Sequence, residues 1–142
     1  MSRHTARIHA FNLIFQFPFH SEWQPSMIEG YLESLSDLEE ELDGINPNQE
    51  DSAFIIAEAS GTFNNLAELD QLISDNLKDW ELNRIAKVDL ALMRLALYEI
   101  RHVADISTAT AINEAVELAK VYGSDEAPAF INGLLGQVVR NE

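Results

Sequence analysis

The residues with the best-defined binding chemistry lie at the start of the chain, in a basic and aromatic segment. Residues 1–20 contain no acid, although the whole chain has 24 Asp and Glu, and they include Arg3, His4, Arg7 and His9. Arg3 and Arg7 are one helical turn apart, and Phe11 and Phe15 continue the same spacing. Like charges at this spacing slightly destabilise an isolated helix, and a bound phosphate would relieve the repulsion. The aromatic rings would then stack on bases.

The charge of the whole chain limits how RNA can bind. The net charge is −15 and the pI is about 4.4. A field of this sign repels phosphates, although salt screens it beyond about 8–10 Å. Any RNA contact must therefore come from a local basic patch. The same residues also fit a structural helix with Phe11 and Phe15 in the core and both Arg residues solvated, and the pattern alone leaves both interpretations open.

Catalytic and metal-binding patterns are missing from the sequence. The four histidines, at positions 4, 9, 20 and 102, show no HExxH or i, i+4 spacing. No GxxxxGK[ST], GxGxxG or GxSxG motif occurs. A Ser-His-Asp triad is not excluded by chain order, but nothing nominates one. We therefore predict neither enzymatic activity nor a cofactor.

Length and composition predict one globular domain. The chain has 142 residues, of which 46% are hydrophobic, and it contains no cysteine. The missing cysteines exclude a disulfide framework and fit a reducing cytosol. No run approaches 18 apolar residues, and no charged leader opens the chain. We expect a cytoplasmic location.

Helical periodicity predicts an all-α fold of about seven helices. Ser2 is expected to cap the first helix, which runs to about Phe17. Its apolar face contains Ala6, Ala10, Leu13, Ile14 and Phe17. Pro25 begins the second helix after a connection that starts at Pro18. That helix is expected to bury Met27, Ile28, Tyr31, Leu32 and Leu35.

An acidic run follows the second helix. The seven acids of Asp37–Asp51 predict a solvated helix end and loop, because the register of a calcium-binding loop is missing. The third helix is expected to begin at Asp51 or Ser52, with one face formed by Ile55, Ile56, Ala59 and Phe63. The apolar face of a fourth helix is Leu66, Leu69, Ile73 and Leu77, and Trp80 closes this segment.

The fifth helix, about Asn83–His102, is apolar over most of its circumference, which predicts a central position. Its basic residues share one narrow sector: Arg84, Lys87, Arg94 and Arg101. Asp89 and Glu99 point into the apolar arc. They lie about 15 Å apart along the helix axis, too far to act on one substrate bond. Because a buried carboxylate needs hydrogen-bond donors, we expect both to be structural and hydrogen-bonded.

The stretch Ala111–Gly136 holds two more amphipathic helices joined at Gly123. Ser107 or Thr108 is expected to cap the first, with an apolar face of Ile112, Ala115, Val116, Ala119 and Tyr122. Gly123 is predicted to be a left-handed residue that ends this helix. The last helix has the core residues Ala127, Ile131, Leu134 and Val138. Phe130 lies at the edge of that face, where an aromatic is either core or a stacking platform.

Five sequence blocks carry a resemblance to one known family. They are RxxAxxLIFQ at Arg7–Gln16, LDQLI at Leu69–Ile73, WELNRIAKVDLALMRLALYEI at Trp80–Ile100, AINEAVELAKVYG at Ala111–Gly123 and FINGLL at Phe130–Leu135. With these blocks the chain resembles the NusB family of bacterial transcription antitermination factors. The resemblance covers almost the whole chain except the acidic run.

The resemblance implies a compact all-α bundle that forms a single RNA-binding domain, with subdomains at about 1–65 and 66–142. It implies binding of boxA RNA in nascent rRNA transcripts jointly with the ribosomal protein NusE. It also implies association with the RNA polymerase elongation complex, and it leaves open whether the chain forms a homodimer. By position, the family's RNA-binding residues correspond to Arg3, His4, Arg7, Phe15 and Phe130. The Arg residues would hold phosphates, and the two aromatics would stack on unpaired bases.

Three departures from the family pattern keep alternatives open. Many relatives have a longer Arg-rich N-terminus, Ala129 stands where the family is often basic, and Phe15 stands where it usually has Tyr. Fewer phosphate contacts would weaken RNA binding without NusE. One alternative is a NusB-fold protein–protein interaction module with little or no RNA binding. The other is a fragment related to the N-terminal domain of rRNA cytosine methyltransferases. The missing cofactor domain and the missing Cys nucleophile count against this alternative.

Overall fold

The computed structural model describes residues 1–16, 24–39, 47–78 and 81–142. Within these ranges the regular structure is entirely helical, which confirms the all-α prediction. A single 3₁₀ turn at Leu82–Arg84 precedes the fifth of seven α-helices: α1 Arg3–Gln16, α2 Pro25–Glu39, α3 Gln49–Asn64, α4 Leu66–Asp75, α5 Lys87–His102, α6 Thr108–Tyr122 and α7 Ala127–Arg140. Among the helices of these ranges, none is long and apolar enough to cross a membrane.

Four sequence predictions lie partly or wholly outside the described residues. They concern Phe17 in the first apolar face, the connection from Pro18, the centre of the acidic run around Gly44, and Trp80.

The first compact unit, Met1–Asn64, contains α1, α2 and α3. The Ser2 hydroxyl caps α1 as predicted, because its Oγ accepts a hydrogen bond from the Thr5 backbone N–H at 3.0 Å. α1 packs mainly against α3. The core between them contains Ala6, Ala10, Leu13 and Ile14 from α1 and Ile55, Ala59 and Phe63 from α3.

The start of α3 differs from its prediction. The Asn48 side chain accepts from the Asp51 N–H at 2.8 Å, and the Asp51 carboxylate accepts from the Asn48 N–H at 3.0 Å. This reciprocal capping box starts the helix at Gln49 rather than at Asp51 or Ser52. Asp51 is buried by the same interaction, so the prediction that the whole acidic run is solvated is wrong for this residue.

The buried face of α3 is also rotated from the predicted one. Ile56 is 41% exposed, whereas Glu58 and Thr62 are buried. Because adjacent helical residues point about 100° apart, Ile55 and Ile56 cannot both face α1. The buried Thr62 hydroxyl has a hydrogen-bond partner within α3, because it donates to the Glu58 backbone carbonyl at 2.8 Å.

The second compact unit, Asn65–Glu142, contains α4 to α7. α5 is central within it, as predicted, because it contacts α4, α6 and α7. Its start at Lys87 is later than predicted, since Ile85 and Ala86 adopt extended backbone angles after the 3₁₀ turn. Asp89 and Glu99 are buried as expected, but the Asp89 Oδ1 atom has no hydrogen-bond partner among the described residues.

The predicted basic sector of α5 is divided by the tertiary structure. Arg101 is exposed, whereas Arg94 is buried. Arg94 is buried because α4 places Asp70 against its guanidinium group, with Nε 2.7 Å from Oδ1.

The ends of α6 test the capping predictions. Ser107 caps its start by accepting from the Thr110 N–H at 3.1 Å. Gly123 ends it, but with φ −97° and ψ −178°, so the left-handed prediction is wrong. Glycine is required by crowding, because a Cβ at Gly123 would lie 2.7 Å from the Ala127 Cβ and 3.0 Å from the Ala119 carbonyl oxygen.

The buried face of α6 is shifted from the predicted one. Tyr122 is 42% exposed, and Ala111 and Leu118 are buried beside the expected Ala115 and Ala119. The last helix matches its prediction, since Ala127, Ile131, Leu134 and Val138 are all buried.

Candidate nucleic-acid interface

A single ring from α3 meets both arginines of α1. The Arg3 Cζ lies 4.5 Å and the Arg7 Cζ 5.5 Å from the centroid of the Phe54 ring. Guanidinium groups at such distances are attracted by the negative face of an aromatic ring. Phe54 therefore offsets part of the repulsion between the two arginines that the i, i+4 spacing predicts.

Arg3 is the exposed member of this pair. Its Nη2 donates to the Glu50 Oε1 at 3.1 Å, and both side chains are open to solvent. Exposed ion pairs contribute about 0–1 kcal/mol, so a phosphate can replace the carboxylate at small cost. His4 next to it is also exposed.

Arg7 occupies a different environment from Arg3. Only 4% of the residue is exposed, so the interpretation in which both arginines are solvated is wrong for Arg7. Its guanidinium group lies beside the Phe54 ring and is shielded from solvent. The positive charge that reaches solvent on this helix is therefore concentrated at Arg3, with the His4 ring exposed next to it.

The two phenylalanines of α1 separate into a core residue and a surface residue. Phe11 is buried, whereas Phe15 is 43% exposed. Their rings stack with centroids 5.9 Å apart and planes 23° apart. Phe11 thus supports the inner side of Phe15. We call Arg3, His4, Arg7 and Phe15, together with Phe54, the α1 surface.

A half-buried polar contact links α1 to α2. The His9 Nδ1 and the Tyr31 hydroxyl are 2.7 Å apart, and the two rings meet edge to face at 5.7 Å. Burial lowers the pKa of His9 below its ordinary value of 6.5, which favours the neutral ring. His9 therefore acts as a structural hydrogen-bonding group rather than as a cation.

Phe130, the remaining predicted residue, lies on α7 in the second unit. It is half-buried and lines two cavities. One, the Lys78 cavity, has a volume of about 320 Å³ and includes Asn76, Gly133 and Gln137. The other, the Arg84 cavity, has a volume of about 310 Å³ and includes Asp89, Ser124 and Glu126.

Sequence reasoning missed the partners of the predicted residues. Phe54 and Glu50 approach Arg3 from 51 and 47 positions along the chain, and no local pattern encodes such a contact. Their own i, i+4 spacing on α3 is the one available signal. Lys78 lies between the predicted fourth and fifth helices, and Arg84, predicted as part of the basic sector of the fifth helix, lies in the 3₁₀ turn before α5.

The helical order and the exposed groups of the α1 surface define a small all-α protein with features suited to binding other macromolecules. The comparison with known proteins identifies its family. The chain belongs to the NusB family, whose sequence model matches residues 4–140.

Curated relatives support this membership over almost the whole length. A transcription antitermination protein NusB from Agathobacter rectalis is 44% identical over 137 residues, covering 96% of this chain and 98% of the relative. Another from Acetivibrio thermocellus is 42% identical over 140 residues, covering 99% of this chain and 90% of the relative.

Solved structures share the fold. NusB from T. maritima superposes with a TM-score of 0.83 at 29% identity, covering 100% of this chain and 93% of that one. A crystal structure of antitermination factors NusB and NusE in complex with dsRNA contains a chain with a TM-score of 0.80 at 19% identity, covering 99% of this chain and 97% of that chain. At that identity the second likeness describes the fold alone.

Proposed function

We propose that this chain is a transcription antitermination factor that binds boxA RNA in nascent rRNA transcripts together with the ribosomal protein NusE. The complex then joins the elongating RNA polymerase. The observation that carries the proposal is membership of the NusB family over residues 4–140, combined with exposed cationic and aromatic groups on the α1 surface. The role is binding in the cytoplasm rather than catalysis, with both units serving one RNA-binding domain.

Each predicted residue has a physical role in this proposal. Arg3 and His4 bind phosphates directly, and the buried Arg7 adds positive charge without contacting them. Phe15 stacks on an unpaired base, since its exposed ring is backed by Phe11. Phe130 gives a second stacking site on α7. These contacts position the RNA, and NusE adds the remaining affinity.

A second candidate, the protein-only interaction module, is favoured by one observation. Arg3 already pairs with Glu50, and Arg7 is buried, so few cations are left on the α1 surface. The two candidates differ in a single measurable property, which is selective binding of boxA RNA.

The test is fluorescence anisotropy of labelled boxA RNA and a scrambled control, with and without NusE, at several salt concentrations. We expect boxA to bind more tightly than the control and NusE to strengthen the difference. Two phosphate contacts give a log–log salt slope of about −1.4. Arg3→Ala should weaken binding and reduce this slope, whereas Lys120→Ala, an exposed cation paired with Glu117, should change neither.

The opposite outcome is equally clear. Equal affinity for boxA and the scrambled RNA, even with NusE bound, would reject the RNA-binding role. The protein-only module would then account for the fold. Sedimentation analysis of the same samples determines whether a homodimer competes with RNA for the α1 surface.

A further inference from the structure

The guanidinium group of Arg3 has two partners of different kinds on α3. The Glu50 Oε1 atom lies 3.1 Å from its Nη2, and the centroid of the Phe54 ring lies 4.5 Å from its Cζ. Glu50 and Phe54 are four positions apart on α3, so they are neighbours on one face of that helix. One helix therefore holds the Arg3 charge both with a carboxylate and with an aromatic ring.

The two partners use different parts of the guanidinium group. An arginine has five N–H donors, and within the described part of the chain Arg3 uses one of them, toward Glu50. The Phe54 ring attracts the charge through its face and takes up no N–H donor. The carboxylate therefore competes with a phosphate for the edge of the guanidinium group, whereas the ring does not.

A support that does not compete with the ligand matters for this side chain because it is long and exposed. The Arg3 side chain is 46% exposed. Arginine has much rotamer freedom to lose when it binds a ligand in one geometry. A contact that already restricts the side chain before binding lowers this cost. Glu50 cannot serve in the complex, since a phosphate displaces it.

We infer that Phe54 is a positioning residue for RNA binding, whose ring holds the Arg3 guanidinium group in place for a phosphate. The inference rests on the proposed RNA-binding function. It adds to that function a residue of α3 that acts through Arg3 and does not itself touch the RNA.

The surroundings of the ring support positioning rather than direct stacking on a base. Phe54 is half-buried, and Arg3 lies over its ring, so a base cannot stack on the face that the guanidinium group covers. The Cζ of the buried Arg7 lies 5.5 Å from the same centroid. Because a buried neighbour restricts the ring, Phe54 offers Arg3 a fixed support.

The test is a double-mutant cycle on Phe54 and Arg3 in the boxA anisotropy assay with NusE. Phe54→Leu alone should weaken boxA binding by about twofold to tenfold, which corresponds to the cost of ordering one long side chain on binding. In the Arg3→Ala background the same change should have no further effect, because the group that the ring positions is gone.

Two further readouts separate positioning from support of the fold. Phe54→Tyr keeps an aromatic face and should bind boxA like the wild type. The loss caused by Phe54→Leu should shrink as the salt concentration rises, since it acts through a phosphate contact. Thermal unfolding verifies that each variant is folded. If Phe54→Leu is unfolded, Phe54→Met replaces it, because the flexible Met side chain fills irregular gaps.

The outcomes separate this inference from the function on which it rests. If the wild-type chain shows no boxA preference with NusE, the proposed function fails and the inference fails with it. If the wild type prefers boxA and Phe54→Leu binds equally well, the positioning role alone is rejected. It is also rejected if Phe54→Tyr loses as much affinity as Phe54→Leu. An equal loss from Phe54→Leu with and without Arg3 would mean that the ring acts independently of Arg3, which contradicts the inference as well.

Discussion

Arg94 on α5 donates two parallel hydrogen bonds to Asp70 on α4, Nε to Oδ1 and Nη2 to Oδ2, each 2.7 Å long. The arginine side chain is 5% exposed and the aspartate 25%. A planar guanidinium group matches a carboxylate in this two-point geometry, which lysine cannot reproduce. The pair therefore fixes the position of α4 on the central helix of the second unit.

Removing one partner should destabilise the second unit strongly. Asp70→Ala removes both hydrogen bonds that the buried Arg94 guanidinium donates to this carboxylate, and removing one partner of a buried pair typically costs about 3–5 kcal/mol. Arg101→Ala is the control, because its pair with Glu142 is exposed and should contribute about 1 kcal/mol or less. Urea unfolding measures both. Similar losses for the two variants would contradict the special role of the Arg94–Asp70 pair.

Gly123→Ala should destabilise the junction of α6 and α7. The new Cβ would meet the Ala127 Cβ at 2.7 Å, and overpacking of this kind costs about 1–3 kcal/mol. Gly133→Ala is the matched change, since a Cβ there meets nothing within 4 Å. Alanine in a helix interior should raise the free energy of unfolding by about 0.5–1 kcal/mol. If both variants changed the free energy of unfolding in the same direction, in thermal or urea unfolding, the crowding explanation would be wrong.

Asp89 should make the chain less stable as the pH rises. Burial raises the pKa of its carboxyl above the ordinary 3.8, so the folded state holds this proton more tightly than the unfolded state. Its contribution to the free energy of unfolding therefore falls as the pH rises from 3.8 through the folded-state pKa. Asp89→Asn removes the charge and should stabilise the chain at pH 7 by about 1 kcal/mol.

The check is urea unfolding of the wild type and Asp89→Asn between pH 4 and pH 7. The difference between them should grow with pH. A constant difference across this range would show that ionisation of Asp89 has no effect on stability.

His9 should produce a pH dependence of the opposite sign. Burial lowers the pKa of its ring below 6.5, so the unfolded state takes up the proton first when the pH falls. Stability should therefore decrease from pH 6.5 down through the folded-state pKa. His9→Gln should flatten this profile. Tyr31→Phe removes the 2.7 Å contact and should lower the free energy of unfolding by about 1 kcal/mol at pH 7.5. A wild-type profile equal to that of His9→Gln would refute the assignment.

Glu50→Gln should strengthen RNA binding. The Glu50 carboxylate forms an ion pair with Arg3 at 3.1 Å, and a phosphate would have to displace it. Because an exposed pair contributes about 0.2–1 kcal/mol, affinity for boxA RNA should rise by a factor of about 1.4–5. Glu29→Gln, an exposed change on α2 with the same effect on net charge, is the control. An equal gain from both variants would mean that net charge alone is responsible.

Much of the local structure could be predicted from the sequence, because it depends on contacts within one helical turn. Ser2 and Ser107 cap α1 and α6 through the N–H groups three residues further on. The repeating apolar positions of α7 identify its buried face directly. The sequence blocks Ala111–Gly123, which covers most of α6, and Phe130–Leu135, within α7, also indicated the NusB family, since a family pattern needs no three-dimensional contact to be recognised.

Only the tertiary structure decided what each candidate side chain meets. Arg3 and Arg7 have the same residue type and lie one turn apart on α1, yet Arg3 is exposed and Arg7 is buried, although both contact the Phe54 ring. The sequence predicts that Gly123 ends a helix, but glycine is required there because the Ala127 Cβ lies too close to leave room for a side chain. Both outcomes depend on packing between helices, which places residues far apart in the chain against each other, whereas periodicity and capping describe one helix at a time.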